Sequence, residues 1–248
     1  MLVVKLRFFF IINVSLYFLS LEEIQAQKNV VRQDLFWVRL VVQSNLNKRF
    51  FLVNELDHRR FFEENTFHHT IQHNHLHFKI KPDLDVAIGQ TFSWQNSQFP
   101  DANPKLQVPE IRPFQEINGS QNINKSLTFS SRIRIDERFV RKNNGLELLQ
   151  GYNFNMRYRL RFQFLYKMKK IKNGTLKASN ELMVNSGKNV NFFDQNRLYI
   201  ACEYNFSKKL SAEIGYLRWY QQRRQFDTYF QRDIIRLTVF PKINFGKN

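Results

Sequence analysis

Residues 154–164 read FNMRYRLRFQF. Phe154, Met156, Tyr158, Leu160, Phe162 and Phe164 alternate with Asn155, Arg157, Arg159, Arg161 and Gln163. A period of two places successive side chains on opposite faces of a β-strand, whereas a helical period would gather apolar residues three and four apart. The run is also long. Strands of soluble proteins have a mode of about 5–6 residues, and a bilayer-spanning strand needs about 9–11.

The same alternation recurs through the chain. Leu84, Val86, Ile88, Phe92 and Trp94 oppose Asp85, Ala87, Gly89, Thr91, Ser93 and Gln95, and Leu127, Phe129, Ile133 and Ile135 oppose Arg132, Arg134, Asp136 and Arg138. Similar segments cover about 35–44, 50–60, 71–81, 109–120, 175–186, 195–206, 210–220 and 231–240. No segment argues for a helix. Short polar turns at 45–48, 81–83, 122–125, 169–174 and 206–209 alternate with longer connections near 61–70, 96–108, 140–152, 187–194 and 221–230. Short turns at one end and long loops at the other describe an up-and-down antiparallel sheet, with the short end periplasmic in outer-membrane barrels.

Alternation alone fits a soluble sandwich as well as a membrane barrel. Three features favour the barrel. The segments are long, and their polar faces carry both charge signs at mid-strand, as a set of interior Arg–carboxylate pairs would. Aromatic residues near segment ends (Trp37, Phe50, Phe51, Trp94, Tyr152, Tyr166, Trp219 and Tyr220) fit interfacial girdles. About eleven segments are visible, but bacterial barrels are normally even-numbered. The expectation is therefore 10–12 strands, with 12 favoured if the N-terminal stretch around Val30–Gln33 pairs with the last strand.

The first 26 residues read as a cleaved secretory signal, with Lys5 and Arg7 ahead of an apolar run at 8–21 and cleavage after Ala26. Residues 27–248 then form a single barrel domain. No later apolar stretch approaches the ~20 residues of a transmembrane helix. The lone Cys202 excludes an intramolecular disulfide framework. A formal net charge of +17 raises nucleic acid as a partner. The basic residues, however, are mostly single arginines within strands, with no zinc-finger spacing and no Gly-rich phosphate loop.

Seven stretches carry a family resemblance: QDLFWVRL (33–40), LNKRFFLVNELDHRRFF (46–62), PEIRPFQEI (109–117), YNFNMRYRLRFQF (152–164), SNELMVNSGK (179–188), FDQNRLYIACEYNFSKKLSAEIGYLRWYQQR (193–223) and RDIIRLTVF (232–240). Together they resemble an uncharacterised outer-membrane β-barrel family of Bacteroidota, domain of unknown function 2490, over roughly residues 33–240. Its most specific parts here are the Arg-Pro-aromatic-Gln run at 112–115 and Phe-Asp-Gln-Asn-Arg-Leu at 193–198. The resemblance implies a barrel in the outer membrane and no assigned activity. The histidine-rich run at 68–77 is not part of the family pattern.

That run, HHTIQHNHLH, places five histidines in ten positions. If Leu76, Phe78 and Ile80 face lipid, then His73, His75 and His77 face the lumen, with His68 and His69 in or near the preceding loop. Same-face neighbours lie ~6.6–6.8 Å apart along a strand, so these imidazoles form a candidate site for Zn²⁺ or Cu²⁺, beside the plainer reading of polar residues at a barrel mouth. The lumen-lining charges expected are Arg112, Glu116, Arg132, Arg134, Asp136, Arg157, Arg159, Arg161, Glu181, Arg197 and Glu203. Guanidinium in excess of carboxylate would make an aqueous path prefer anions, whereas full pairing would plug it. Lysines at the short turns (Lys48, Lys125, Lys169, Lys170, Lys172, Lys208, Lys209) suit contact with anionic headgroups.

The expected fold is thus all-β, an up-and-down antiparallel transmembrane barrel behind a signal peptide, exported to the outer membrane. Its expected function is a structural role or a narrow path for small anionic solutes. One alternative is a lipid-modifying outer-membrane enzyme using a lumen or rim histidine; another is a soluble periplasmic barrel that binds lipid. No catalytic residues are assigned, an enzyme being the lesser expectation, and no cofactor is expected. The partners are outer-membrane lipid and small anions, without nucleic acid.

Overall fold

The computed structural model describes residues 29–223 and 228–245, so the expected signal segment lies outside the described residues. Among them eleven strands follow in order: β1 (Asn29–Asn45), β2 (Phe50–Phe61), β3 (Phe67–Lys81), β4 (Leu84–Gln95), β5 (Val108–Asn122), β6 (Leu127–Asn143), β7 (Leu148–Lys167), β8 (Gly174–Ser186), β9 (Phe193–Asn205), β10 (Leu210–Gln222) and β11 (Thr228–Asn244). Each pairs antiparallel with the next, and β11 closes on β1 in parallel. An odd number of up-and-down strands requires this, because the first and last then run in the same direction.

The favoured count of twelve is corrected to eleven. Val30–Gln33 is not a separate strand. It extends β1, pairing with β11 from Val30↔Tyr229 onward, whereas the pairing of β1 with β2 starts only at Leu35↔Phe61. A second correction concerns residues 140–152, expected as a long connection. There β6 and β7 continue to a tip at residues 144–147, where Asn144 Oδ1 accepts the backbone N–H of Leu146 (3.0 Å) and Glu147 (2.9 Å). The short turns use the same device. Asn47 Oδ1 accepts from Arg49 and Phe50, and Asn124 Oδ1 from Ser126 and Leu127. A short amide side chain that folds onto its own backbone is what a tight strand reversal needs.

Every strand sorts its side chains by the period of two. The outer face is apolar on all eleven: Val38, Leu56, Ile80, Ile88, Ile117, Ile133, Leu160, Leu182, Ile200, Ile214 and Leu237 all stand exposed, Ile88 by 65% and Ile200 by 64%. Polar outer residues form a minority and partly satisfy one another. Asn180 and Asn196 exchange hydrogen bonds of 3.0 and 3.2 Å, and Gln115 donates to Glu137 at 3.2 Å.

The inner face is largely polar and charged, and its apolar residues include a cluster contributed by β1, β2, β9, β10 and β11: Leu35, Trp37, Phe61, Tyr199, Ala201, Leu217, Trp219 and Ile234. Trp37, Phe51 and Trp219 therefore do not belong to an interfacial girdle. Trp37 and Trp219 are buried in the lumen and Phe51 stacks on His77, whereas Phe50, Trp94, Tyr152, Tyr166 and Tyr220 do face outward. Phase explains the correction, since Trp37 shares its face with Leu35 and Arg39, and Phe51 with Glu55 and Asp57.

Two irregularities alter the phase. The register of β2 with β3 shifts between Arg59 and Arg60, so that Arg59 faces His69 and Arg60 faces Phe67. The extra residue, His68, turns inward beside His69, and both are buried in β3 rather than lying in a loop. A like shift between Met183 and Val184 leaves Asp194 as the extra residue of β9, also buried. A bulge adds one residue to a strand and re-aims a side chain, and the period-two pattern cannot announce it.

Gly89 on β4 is a tight spot. A Cβ there would lie 2.3 Å from Phe114 Cζ and 2.6 Å from His75 Cβ. Gly89→Ala is expected to destabilise the barrel by about 1–3 kcal/mol, as overpacking does, read as a lower urea midpoint.

Candidate functional site

All eleven charged residues expected in the lumen lie on the inner faces of their strands. Register brings them together. Across β6 and β7, Arg132 faces Arg161, Arg134 faces Arg159 and Asp136 faces Arg157. Directly opposed like charges repel, so carboxylates from the flanking strands must intervene. Glu181 on β8 accepts from Arg132 Nη2 at 2.6 Å and from Arg159 Nη2 at 2.9 and 3.0 Å. Asp136, fully buried, accepts from Arg134 Nε at 2.6 Å and lies 3.6 Å from Arg159 Nη1. Glu116 Oε2 stands 3.8 Å from both Arg132 and Arg134.

Further residues complete the network, of which Arg39, Glu110, Lys177 and Asp194 were not singled out in the sequence. Arg39 bonds Glu55 and lies 3.1 Å from Asp57. Glu110 holds Arg112 at 2.7 Å and Arg138 at 2.5 Å, and Asp194 lies 2.7 Å from Arg157. Near the short turns, Lys177 bridges Glu203 at 2.5 Å and Glu213 at 2.8 Å. Phase within the strand would have found Arg39 and Lys177. Asp194 needed the bulge.

These side chains surround a chamber of about 350 Å³ in the short-turn half of the barrel, lined by ten arginines and Lys177 together with Glu55, Asp57, Glu116, Glu181 and Glu213, while Glu110, Asp136, Asp194 and Glu203 pair with lining cations from behind the wall. Two of the arginines have no carboxylate bound. Arg161 faces the chamber with no hydrogen bond or ion pair among the described residues. Arg197 donates to Gln195 at 3.0 Å and lies over the ring of Trp219 at 4.8 Å. Such guanidinium groups offer free N–H donors to an anion.

A second cavity of about 530 Å³ lies under the long loops and shares only Arg157 with the chamber. Between the two runs a continuous stack. Trp37 lines the chamber and meets Trp219 edge-on at 5.8 Å; Arg232 lies 4.5 Å over Trp219 and 4.2 Å over Phe230, which lines the upper cavity. Arg232 is wholly buried without a carboxylate. Its N–H groups go instead to the side-chain oxygens of Gln33 (2.8 Å), Gln221 (2.7 Å) and Gln98 (2.6 Å). This layer is the waist of the lumen.

The histidines divide into separate environments. His73 bonds Thr91 Oγ1 at 2.6 Å, His69 Nε2 bonds Ser93 Oγ at 2.6 Å, and His75 and His77 meet through their ring nitrogens at 2.7 Å, with Glu116 beside them. The three alternate histidines thus do not converge on one point, because His73 leans to β4. The His69–Ser93 pair has the geometry of a base and a nucleophile, but His69 Nδ1 has no hydrogen-bond partner among the described residues.

No curated protein matches the chain. Among solved structures it is similar to the outer-membrane expressed OmpT of Vibrio cholerae, at 11% identity and a TM-score of 0.39. The match covers 73% of this chain and 58% of that one, so the chain spans little more than half of that protein's length. A family model described as protein of unknown function (DUF2490) matches residues 35–230, most of the chain. By that match the chain belongs to the DUF2490 family.

Proposed function

We propose that the protein is an outer-membrane barrel that admits small inorganic anions to its arginine-lined chamber and restricts their passage at the waist. The observation that carries this is the cationic surplus around the chamber, with Arg161 presenting an unpaired guanidinium to it. The membrane part rests on the apolar outer face of every strand and on strand lengths of 12–20 residues, beyond the ~9–11 that spanning needs. Water-filled space lined by excess fixed cations concentrates anions and repels cations.

The test is the reversal potential of the purified barrel in planar bilayers under a potassium chloride gradient, with phosphate titrated against tryptophan emission. Small anion-selective currents are expected, along with a saturable emission change from Trp37 at the chamber wall. Arg161→Gln is expected to weaken both. Reversal at the potassium potential would overturn the proposal. So would a folded barrel that passes no current and ignores phosphate, which would make the lumen a structural plug.

A further inference from the structure

We propose that His75, His77 and Glu116 form a divalent transition-metal site in the lumen wall, of the two-histidine, one-carboxylate kind, which takes Zn²⁺. It is independent of anion uptake and uses a different wall of the chamber.

The local fold brings the three groups together. In cross-strand register His77 faces Ala87 on β4, and Ala87 faces Glu116 on β5. The next row inward runs from His75 through Gly89 to Phe114. Between the histidine strand and the glutamate strand, β4 therefore presents a methyl group and a hydrogen. The two imidazoles lean across it, and Glu116 Oε1 comes within 3.9 Å of both His75 Nδ1 and His77 Nε2.

The far nitrogen of each ring decides what the near nitrogen can do. His77 Nδ1 lies 2.6 Å from Asp85 Oδ1, and Asp85 is itself held by Asn118 Nδ2 at 2.9 Å. His75 Nε2 lies 3.3 Å from Glu55 Oε1. A carboxylate accepts only, so a proton on each far nitrogen satisfies both contacts, and in that tautomer His77 Nε2 and His75 Nδ1 present lone pairs. They face each other at 2.7 Å. Two lone pairs at that distance are the arrangement that a bridging metal ion stabilises. The carboxylate–histidine–metal relay is the usual outer shell of a zinc site, fixing tautomer and ring orientation.

Ring rotation is restrained as well. His77 stacks on Phe51 at 4.3 Å and His75 meets the ring of Phe114 at 5.5 Å. Zn–N bonds of ~2.0–2.1 Å at the tetrahedral angle put two ligand atoms about 3.3 Å apart. The nitrogens must therefore open, and the carboxylate close, by about 0.6 Å each from the observed 2.7 and 3.9 Å. Side-chain torsion supplies that. Arg132 and Arg134 oppose a dication, but each is bound more closely elsewhere, to Glu181 and Asp136 at 2.6 Å. All three ligands line the chamber, so the remaining coordination position opens into it.

The chain, without a polyhistidine tag, is purified folded in detergent, stripped with a chelator and titrated with Zn²⁺ against a chromophoric competitor. Visible absorption of bound Co²⁺ reports the ligand set, and circular dichroism verifies that each variant is folded. One equivalent of Zn²⁺ is expected. His77→Ala and Glu116→Gln should each weaken it tenfold or more and abolish the Co²⁺ bands, and Asp85→Asn should weaken it about 10–100-fold. His73→Ala should change nothing, since His73 is engaged by Thr91. Absence of binding to the folded wild type would overturn the proposal and leave a proton spanning the two rings. Equal losses in His73→Ala and His77→Ala would overturn it too, as would affinity unchanged in His77→Ala.

Discussion

Glu181→Gln is expected to cost the barrel about 3–5 kcal/mol, the size of effect seen when one partner of a buried ion pair is removed. At an m-value of ~2 kcal/mol/M this lowers the urea midpoint by roughly 1.5–2.5 M. The shape barely changes but the charge does. Glu181 is the carboxylate bound to both Arg132 and Arg159, and in register it faces Arg161 on one side and Arg197 on the other. Without it, Arg132, Arg134 and Arg159 retain only Glu116 and Asp136 as ion-pair partners among the described residues. Adding Arg132→Gln should recover part of the loss, because that arginine gives its shortest bond to Glu181, and the non-additivity measures the pair. A loss below ~1 kcal/mol, typical of exposed pairs, would mean that water in the chamber screens these charges.

The faces of this barrel were legible in the sequence, and the pairings were not. Alternation at residues 154–164 fixes which side of β7 carries Arg157, Arg159 and Arg161, because the period is a property of the strand alone. That Arg161 then faces Arg132 and Glu181 depends on register, which is set by turns and tips such as residues 144–147. The histidines show the same division. Phase places His73, His75 and His77 inward, but which two converge depends on Ala87 and Gly89 of the neighbouring strand. Asp85 was within reach of reasoning, since a two-residue turn returns the chain alongside His77. His68 and Asp194 were not, because each owes its place to a bulge. The odd strand count was in view as eleven segments, and only the habit of even-numbered barrels argued against it.

The lumen that results has two kinds of wall. From β6 to β9 the inner face is guanidinium held apart by carboxylate, able to take an anion. Across β3 to β5 it is imidazole and carboxylate, able to take a cation. The apolar cluster of β9–β11, β1 and β2 separates this chamber from the long-loop cavity. Trp219 and Arg232 fill the stack from Trp37 at the chamber to Phe230 at the upper cavity, and Arg157 borders both cavities on the other wall.

For that reason Trp219→Ala should give the largest change in conductance. The indole sits 4% exposed between Trp37 and Arg232, the one ring that touches both. Cutting it to a methyl group opens the middle of the stack and joins the two cavities. Arg232, still held by three glutamine oxygens, becomes a fixed cation at the new opening. Single-channel current is expected to rise on the order of tenfold, as when an apolar constriction is wetted, with stronger anion preference. The same change removes a buried aromatic and should lower stability by about 3–5 kcal/mol, so currents are read on barrels verified as folded. Trp219→Phe keeps a ring in the stack and should stay near the wild-type current. Unchanged current in a folded Trp219→Ala barrel would move the closure to the opposite wall. There Arg157, the residue common to both cavities, is clamped by Asp194 at 2.7 Å.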